Sequence, residues 1–190
     1  MQALMRESRL ASLVTAGPDG LWATPLPLLL EEGGPFGTLL GHVAKANGHW
    51  RIASGHESLV IFTGPEAYVS PSWYATKRET GKVVPTWNYV AVHAYGTAEF
   101  FHDDAGKLQA VEKLTVRHEA ARAAPWAVND APVSFVAGQL KGIVGVRLRI
   151  TRLEGKRKMS QNRTEPDRAG VVAGLQDDGN DEVAALVSGR

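Results

Sequence analysis

There is no cysteine among the 190 residues. Disulfides, thiolate metal sites and cysteine nucleophiles are therefore excluded, and the composition suits a reducing cytoplasm. Charge of one sign is also lacking. Lys and Arg number 21 against 20 Asp and Glu, a net charge of +1, which argues against a strong electrostatic grip on nucleic acid and leaves only a local basic patch for it. No apolar run approaches the ~20 residues that a membrane helix needs, so no membrane partner is expected. The start, Met1-Gln2-Ala3-Leu4-Met5-Arg6, has no basic stretch followed by an apolar one, and no signal peptide is expected there. The His, Asp and Glu residues show no metal-ligand spacing, and no metal site is expected. No H-E-x-x-H, G-x-S-x-G, Walker or G-x-G-x-x-G pattern occurs. No catalytic residue is identifiable, so the sequence leaves open whether the chain is an enzyme.

Hydrophobic residues make up 44% and charged residues 22%, as in an ordinary soluble globular protein. A chain of this size buries roughly 70% of the surface it exposes when unfolded. Residues 1–9 read as a short helix. Apolar residues 10–16, a Gly17-Pro18-Asp19-Gly20 turn and residues 21–30 read as a hairpin. Pro25 and Pro27 make its second strand an edge or bulged strand. Further strands are expected over 36–43 and 59–63, the latter broken by Gly64-Pro65, and over 67–70 and 83–96, continuing to 101. Leu108, Val111, Leu114 and Val116 fall near helical spacing, giving a helix over 103–122. A shorter helix over 132–142 would bury Phe135, Val136 and Leu140. Alternation over 143–153 marks another strand. In the tail, Thr164 is a candidate N-cap with Pro166 and Asp167 in the first turn, and a last helix spans 182–187. The fold class is mainly β with added helices (α+β). Six or so short strands with helices late in the chain suggest a small β-barrel with helical additions, with sandwich against barrel left unresolved by the pattern alone. The expected organisation is a domain over 1–155, with a helical insertion over 103–142, and a tail over 156–190 whose short helices pack on it.

The stretch 68–96 concentrates polar and aromatic residues and reads as one wall of a site for a flat, anionic cofactor. Ser72 and Trp73 stand in Ser70-Pro71-Ser72-Trp73-Tyr74, where hydroxyls and loop N–H groups meet an aromatic. The plainer reading is a turn whose aromatics cap the core. In Val84-Pro85-Thr86-Trp87-Asn88-Tyr89, a strand puts Thr86 and Asn88 on one face and Trp87 on the other. A carboxamide matches the donor and acceptor edge of a flat heterocycle, but Asn88 could equally bond backbone in a bulge. Gly41-His42-Val43-Ala44-Lys45-Ala46-Asn47 places a cation just past a strand end, which suits a phosphate. A solvated Lys is the commoner fate. The run Lys156-Arg157-Lys158-Met159-Ser160-Gln161-Asn162-Arg163 could meet phosphate of a cofactor or of DNA, although such runs are usually solvated faces. His93 reads as a hydrogen-bonded structural group, and His118 and Glu119 as solvent-facing.

The runs YVSPSWY, VPTWNYVAVHAYG and KMSQNR with DRAGVVAGL, together with LVTAGPDG and LLGHVAKAN, resemble the PaiB-type family of FMN-binding negative transcriptional regulators. The resemblance covers almost the whole chain in the same order. It implies an FMN-binding split β-barrel, a homodimer and FMN at the subunit interface. Members usually carry a Tyr-x-Pro-type segment and a Phe before the first helix, whereas this sequence opens inside that helix. Placed on the matching motifs, the chemistry assigns Lys45 to the phosphate, with His42 and Asn47 nearby. Ser72, Trp73, Thr86, Trp87 and Asn88 would border the ring, and Ser160, Gln161 and Asn162 would close the site. The expected function is that of a cytoplasmic flavoprotein acting as a negative transcriptional regulator. The alternative is a flavin-dependent oxidoreductase using NAD(P)H. DNA is a possible partner through Lys156, Arg157, Lys158 and Arg163, but no helix-turn-helix is visible: the two middle helices are separated by a segment over 125–132, too long for that motif.

Overall fold

The computed structural model describes residues 1–18 and 20–189. Asp19, in the expected turn, and Arg190 lie outside the described residues. In chain order the elements are α1 (Gln2–Glu7), β1 (Ala11–Gly17), β2 (Gly20–Leu26), β3 (Leu28–Glu31), β4 (Thr38–Ala44), α2 (His49–Ala53), β5 (Glu57–Val69), α3 (Thr76–Thr80), β6 (Thr86–Phe101), α4 (Asp104–Glu119), α5 (Val133–Leu140), β7 (Ile143–Arg149), β8 (Arg152–Lys158), α6 (Glu165–Asp177) and α7 (Asp181–Ser188). Single 3-10 turns lie at Pro71–Trp73 and Val128–Asp130. The described strands form one sheet in the order β2-β1-β5-β6-β7-β4-β3, with β8 paired to β6. The β1–β2, β1–β5, β3–β4, β4–β7 and β6–β7 pairs are antiparallel.

Prolines explain the main departures from the expected strands. The run 21–30 is two strands parted at Pro27, which has no N–H to give to a ladder. Pro25 stays inside β2 opposite Ser12, because β2 is the edge of the sheet. Gly64-Pro65, expected to end a strand, lies within the 13-residue β5. Proline's fixed φ lies within the extended range, so the strand loses only one donor there. The start of β6 is delayed to Thr86, just after Pro85. The run 143–153 divides into β7 and β8, and Ile150 N turns aside to Gly37 O at 3.0 Å.

Two compact units emerge, Met1–Phe62 with Val92–Glu154, and Thr63–Ala91 with Gly155–Arg190. The tail therefore shares a unit with residues 63–91. The core of the first unit gathers inward residues of the strands, among them Leu13, Leu39, Val60, Phe62, Val144 and Leu148, together with Met5 from α1. The core of the second gathers Val69, Tyr74, Met159, Val171, Leu175 and Val187. Each such large side chain contributes about 1.5–3 kcal/mol by leaving water.

The helices hold two corrections. On α4 the buried residues are Lys107, Ala110 and Leu114, while Val116 is 67% exposed. Lys107 tolerates burial because its ammonium meets Asp104 at 2.9 Å and Leu140 O at 2.8 Å, the last turn of α5. On α5, Leu140 is buried, Val136 is half-buried and Phe135 is 58% exposed, contrary to its expected burial.

Candidate functional site

Of the expected residues, His42, Lys45 and Asn47 fall in the first unit. They sit where β4 runs out into a turn before α2. The backbone of that turn is pinned on both sides. Lys45 N donates to Gly142 O at 2.8 Å, Trp50 Nε1 donates to Lys45 O at 3.0 Å, and Asn47 N donates to Ala44 O at 2.9 Å. The Lys45 side chain is exposed, and its ammonium has no hydrogen-bond or ion-pair partner among the described residues. Asn47 is engaged at both ends of its carboxamide: Oδ1 accepts from His49 N at 3.0 Å and Nδ2 donates to Thr24 Oγ1 at 3.1 Å.

Beside this turn runs an apolar groove of about 280 Å³ lined by His42, Trp126, Phe135, Val136, Gln139 and Ile143, among others. The β4–β7 register pairs Ala44 with Ile143, so Lys45 follows directly on a residue whose partner lines the groove. His42 is half-buried, its Nδ1 is buried without a partner, and burial pushes its pKa below the usual imidazole value. A neutral imidazole, apolar walls and, one residue past the strand that borders them, an exposed ammonium are the kinds of group that can receive a flat ring with an anionic tail. The residues present therefore fit a flavin phosphate.

Beneath the turn lies a buried polar chain that the sequence reading missed. Its centre is His49, with no exposed surface, between Thr24 Oγ1 at 2.8 Å and Thr15 Oγ1 at 3.0 Å. Ser58 extends it at 2.7 Å from Thr15. A sequence signal existed: an Asn just before a helix can take the N–H two residues on with its side-chain oxygen, as Asn47 does with His49 N.

Ser72, Trp73, Thr86, Trp87, Asn88, Ser160, Gln161 and Asn162 fall in the second unit. Asn88 is fully buried and pairs with Ser160, donating from Nδ2 to Oγ at 3.0 Å and accepting at Oδ1 at 3.2 Å. Ser160 itself has φ 55°, the left-handed region that few residues other than glycine adopt. Ser72 Oγ lies 3.0 Å from Lys77 Nζ, which donates to it. Thr86 Oγ1 accepts from Lys158 Nζ. Gln161 folds back on its own turn, accepting from Met159 N and donating to Arg157 O, each at 2.6 Å. Trp73 lies against α6: a Cβ on Gly170 would come within 2.0 Å of Trp73 O, and one on Gly174 within 2.3 Å of the indole. Trp87 remains 53% exposed, edge-on to Tyr68 with centroids 6.0 Å apart. Asn162 is exposed. The structure thus joins Asn88 to Ser160, while Trp73 and Gln161 meet other parts of the unit.

Asp167 was also missed as more than a helix-start charge. It is buried and accepts from Thr76 N and Thr76 Oγ1, both at 2.9 Å. The Thr76 backbone bond leads the causes that hold its carboxyl below the ordinary carboxylate range. The basic run is largely engaged within the protein: Arg157 donates to Leu186 O at 2.6 Å, Lys158 to Thr86, and Arg163 lies over the Tyr74 ring at 4.4 Å.

The architecture is shared with solved flavin proteins. It superposes on the FAD and heme binding protein from Mycobacterium smegmatis with a TM-score of 0.57 and 18% identity, covering 82% of this chain and 68% of that one. For the flavocytochrome Anf3 from Azotobacter vinelandii the TM-score is 0.58 at 16% identity, over 88% of this chain and 71% of that one. The fold is the split β-barrel that the sequence led one to expect. Residues 1–152 match the family model described as "Putative FMN-binding domain", and the chain belongs to that family. FMN is the cofactor the family description names. The "Protease synthase and sporulation protein PAI 2" of Bacillus subtilis is 34% identical over 180 residues, covering 93% of this chain and 83% of the relative. An uncharacterized protein of Emericella nidulans is 35% identical over 222 residues, covering 95% and 87% respectively. Among the described residues no helix is long and apolar enough to cross a membrane.

Proposed function

We propose that the chain is an FMN-binding protein that places the flavin ring in the groove beside His42 and the phosphate on Lys45. The observation that carries this reading is the Lys45 ammonium, unpaired among the described residues, on a backbone pinned next to an apolar, aromatic-walled groove. Lys45 supplies the charge opposite a phosphate, and the turn's hydrogen bonds set where that charge stands. Bound FMN would bring redox chemistry to the groove, whose apolar walls would exclude water beside it.

In the same reading the protein works as a homodimer with the flavin between subunits. Val133 is 86% exposed, Phe135 58% and Trp126 48%, an apolar face that a second copy would cover. A role in repression, which the resemblance implies, would then follow from flavin occupancy. Protein mixed with FMN and desalted is expected to keep a flavin absorption band at about one flavin per subunit, as occupancy of this groove in each chain requires. It should elute at twice the subunit mass of 20.4 kDa. Colourless protein after desalting overturns the flavin reading, and a single-subunit mass overturns the dimer.

A further inference from the structure

One arrangement of protons satisfies every hydrogen bond of the buried chain under the Lys45 turn. Ser58 Oγ donates to His56 O at 3.3 Å, which leaves its oxygen to accept from Thr15 Oγ1 at 2.7 Å. Thr15, having donated there, accepts from His49 Nε2 at 3.0 Å. A neutral imidazole protonated on Nε2 offers Nδ1 as an acceptor, and Thr24 Oγ1 donates to it at 2.8 Å. Thr24 then accepts from Asn47 Nδ2 at 3.1 Å, and Asn47 Oδ1 takes the His49 N–H at 3.0 Å. A second proton on Nδ1 would confront the Thr24 hydroxyl proton. The rings recorded against His49 are Trp22 and Phe100, neither of them charged.

We propose that His49 is a positioning residue of the anion-binding turn. Locked as the Nε2–H tautomer, it aims the Thr24 hydroxyl, Thr24 orients the Asn47 carboxamide, and Asn47 fixes the chain between β4 and α2 that presents Lys45. His49 is fully buried and acts only through these partners. The inference rests on the reading of Lys45 as the phosphate contact. It assigns the second-unit residues no part in recognising the phosphate.

The test compares dissociation constants for FMN and for riboflavin, which lacks the phosphate. Lys45→Ala is the reference and should weaken FMN while leaving riboflavin unchanged. Thr24→Val, nearly the same shape without the hydroxyl, and His49→Phe should each weaken FMN about tenfold and riboflavin by less than about twofold, as expected when one hydrogen bond is lost from a positioning chain. Thr24→Ser, which keeps the hydroxyl, should restore the wild-type value. The ¹⁵N shifts of His49 in the wild type should show the Nε2–H tautomer. Unchanged FMN affinity in Thr24→Val, where Lys45→Ala does weaken it, overturns the inference alone. So does a parallel loss of FMN and riboflavin, which marks a merely structural role. Equal FMN binding by wild type and Lys45→Ala removes the Lys45 reading and the inference with it.

Discussion

The β4–α2 turn and the second unit carry similar residues to different ends. At the turn, Asn47 is held by Thr24 of β2 and by His49 at the start of α2, and the Lys45 ammonium has no partner among the described residues. In the second unit, Ser72, Thr86, Asn88, Ser160 and Gln161 all bond within the protein, and Trp73 is packed on α6. The lesson is that residue type nominates a ligand site, and the hydrogen bonds already made within the protein separate the engaged side chains from exposed ones such as Lys45, Trp87 and Asn162. Substitutions in the second unit should therefore cost mainly stability, and those at Lys45 mainly flavin affinity.

The sharpest break is Gly170→Ala. Its Cβ would meet the Trp73 carbonyl at 2.0 Å, so backbone must move. Urea denaturation should show a loss of about 3 kcal/mol. Lys45→Ala in the same assay should change stability by less than about 0.5 kcal/mol. Next is Asn88→Leu, which strands the buried Ser160 hydroxyl. It should cost about 2 kcal/mol, and a double-mutant cycle with Ser160→Ala should show strong coupling. Additive losses would mean the two side chains are independent.

Smaller effects appear as pH dependence. The Asp167 carboxyl is held below its ordinary range in the fold, so its stabilisation is full above the usual carboxylate pKa and fades as pH falls through the folded value. Asp167→Asn should lower the melting temperature at neutral pH and flatten the acid limb of the stability curve. The smallest effect belongs to His42 and His49, both lowered by burial. Their stabilisation is present above about pH 6.5, the unfolded value, and is lost as pH drops from there towards the folded ones. His49→Gln should remove part of that slope and leave the His42 part.

Local pattern made much of this legible. The β1–β2 hairpin, the α4 and α6 helices and the Thr164 helix start follow from alternation, helical spacing and turn chemistry within a few residues. Pro27 parted a strand and Pro65 did not, because a proline's effect depends on whether a neighbour needs its missing N–H. Phe135 looked like core from its neighbours in sequence, yet the inward face of α5 leaves it outside. The Thr76–Asp167 bonds join residues 91 apart, and Asn88 with Ser160 are 72 apart. No local rule reads such pairings. The Lys45 turn was found as a candidate because it stands at a strand end, whereas the buried His49 beneath it depended on three other strands and loops closing around it.

An FMN titration followed by backbone amide NMR tests the account most directly. The largest shift changes should fall on Gly41 to Asn47 and on the groove residues around Trp126, Phe135 and Ile143, with riboflavin sparing the amides next to Lys45. Shift changes that leave these residues untouched and fall only on Ser72, Asn88 and Ser160 would contradict it.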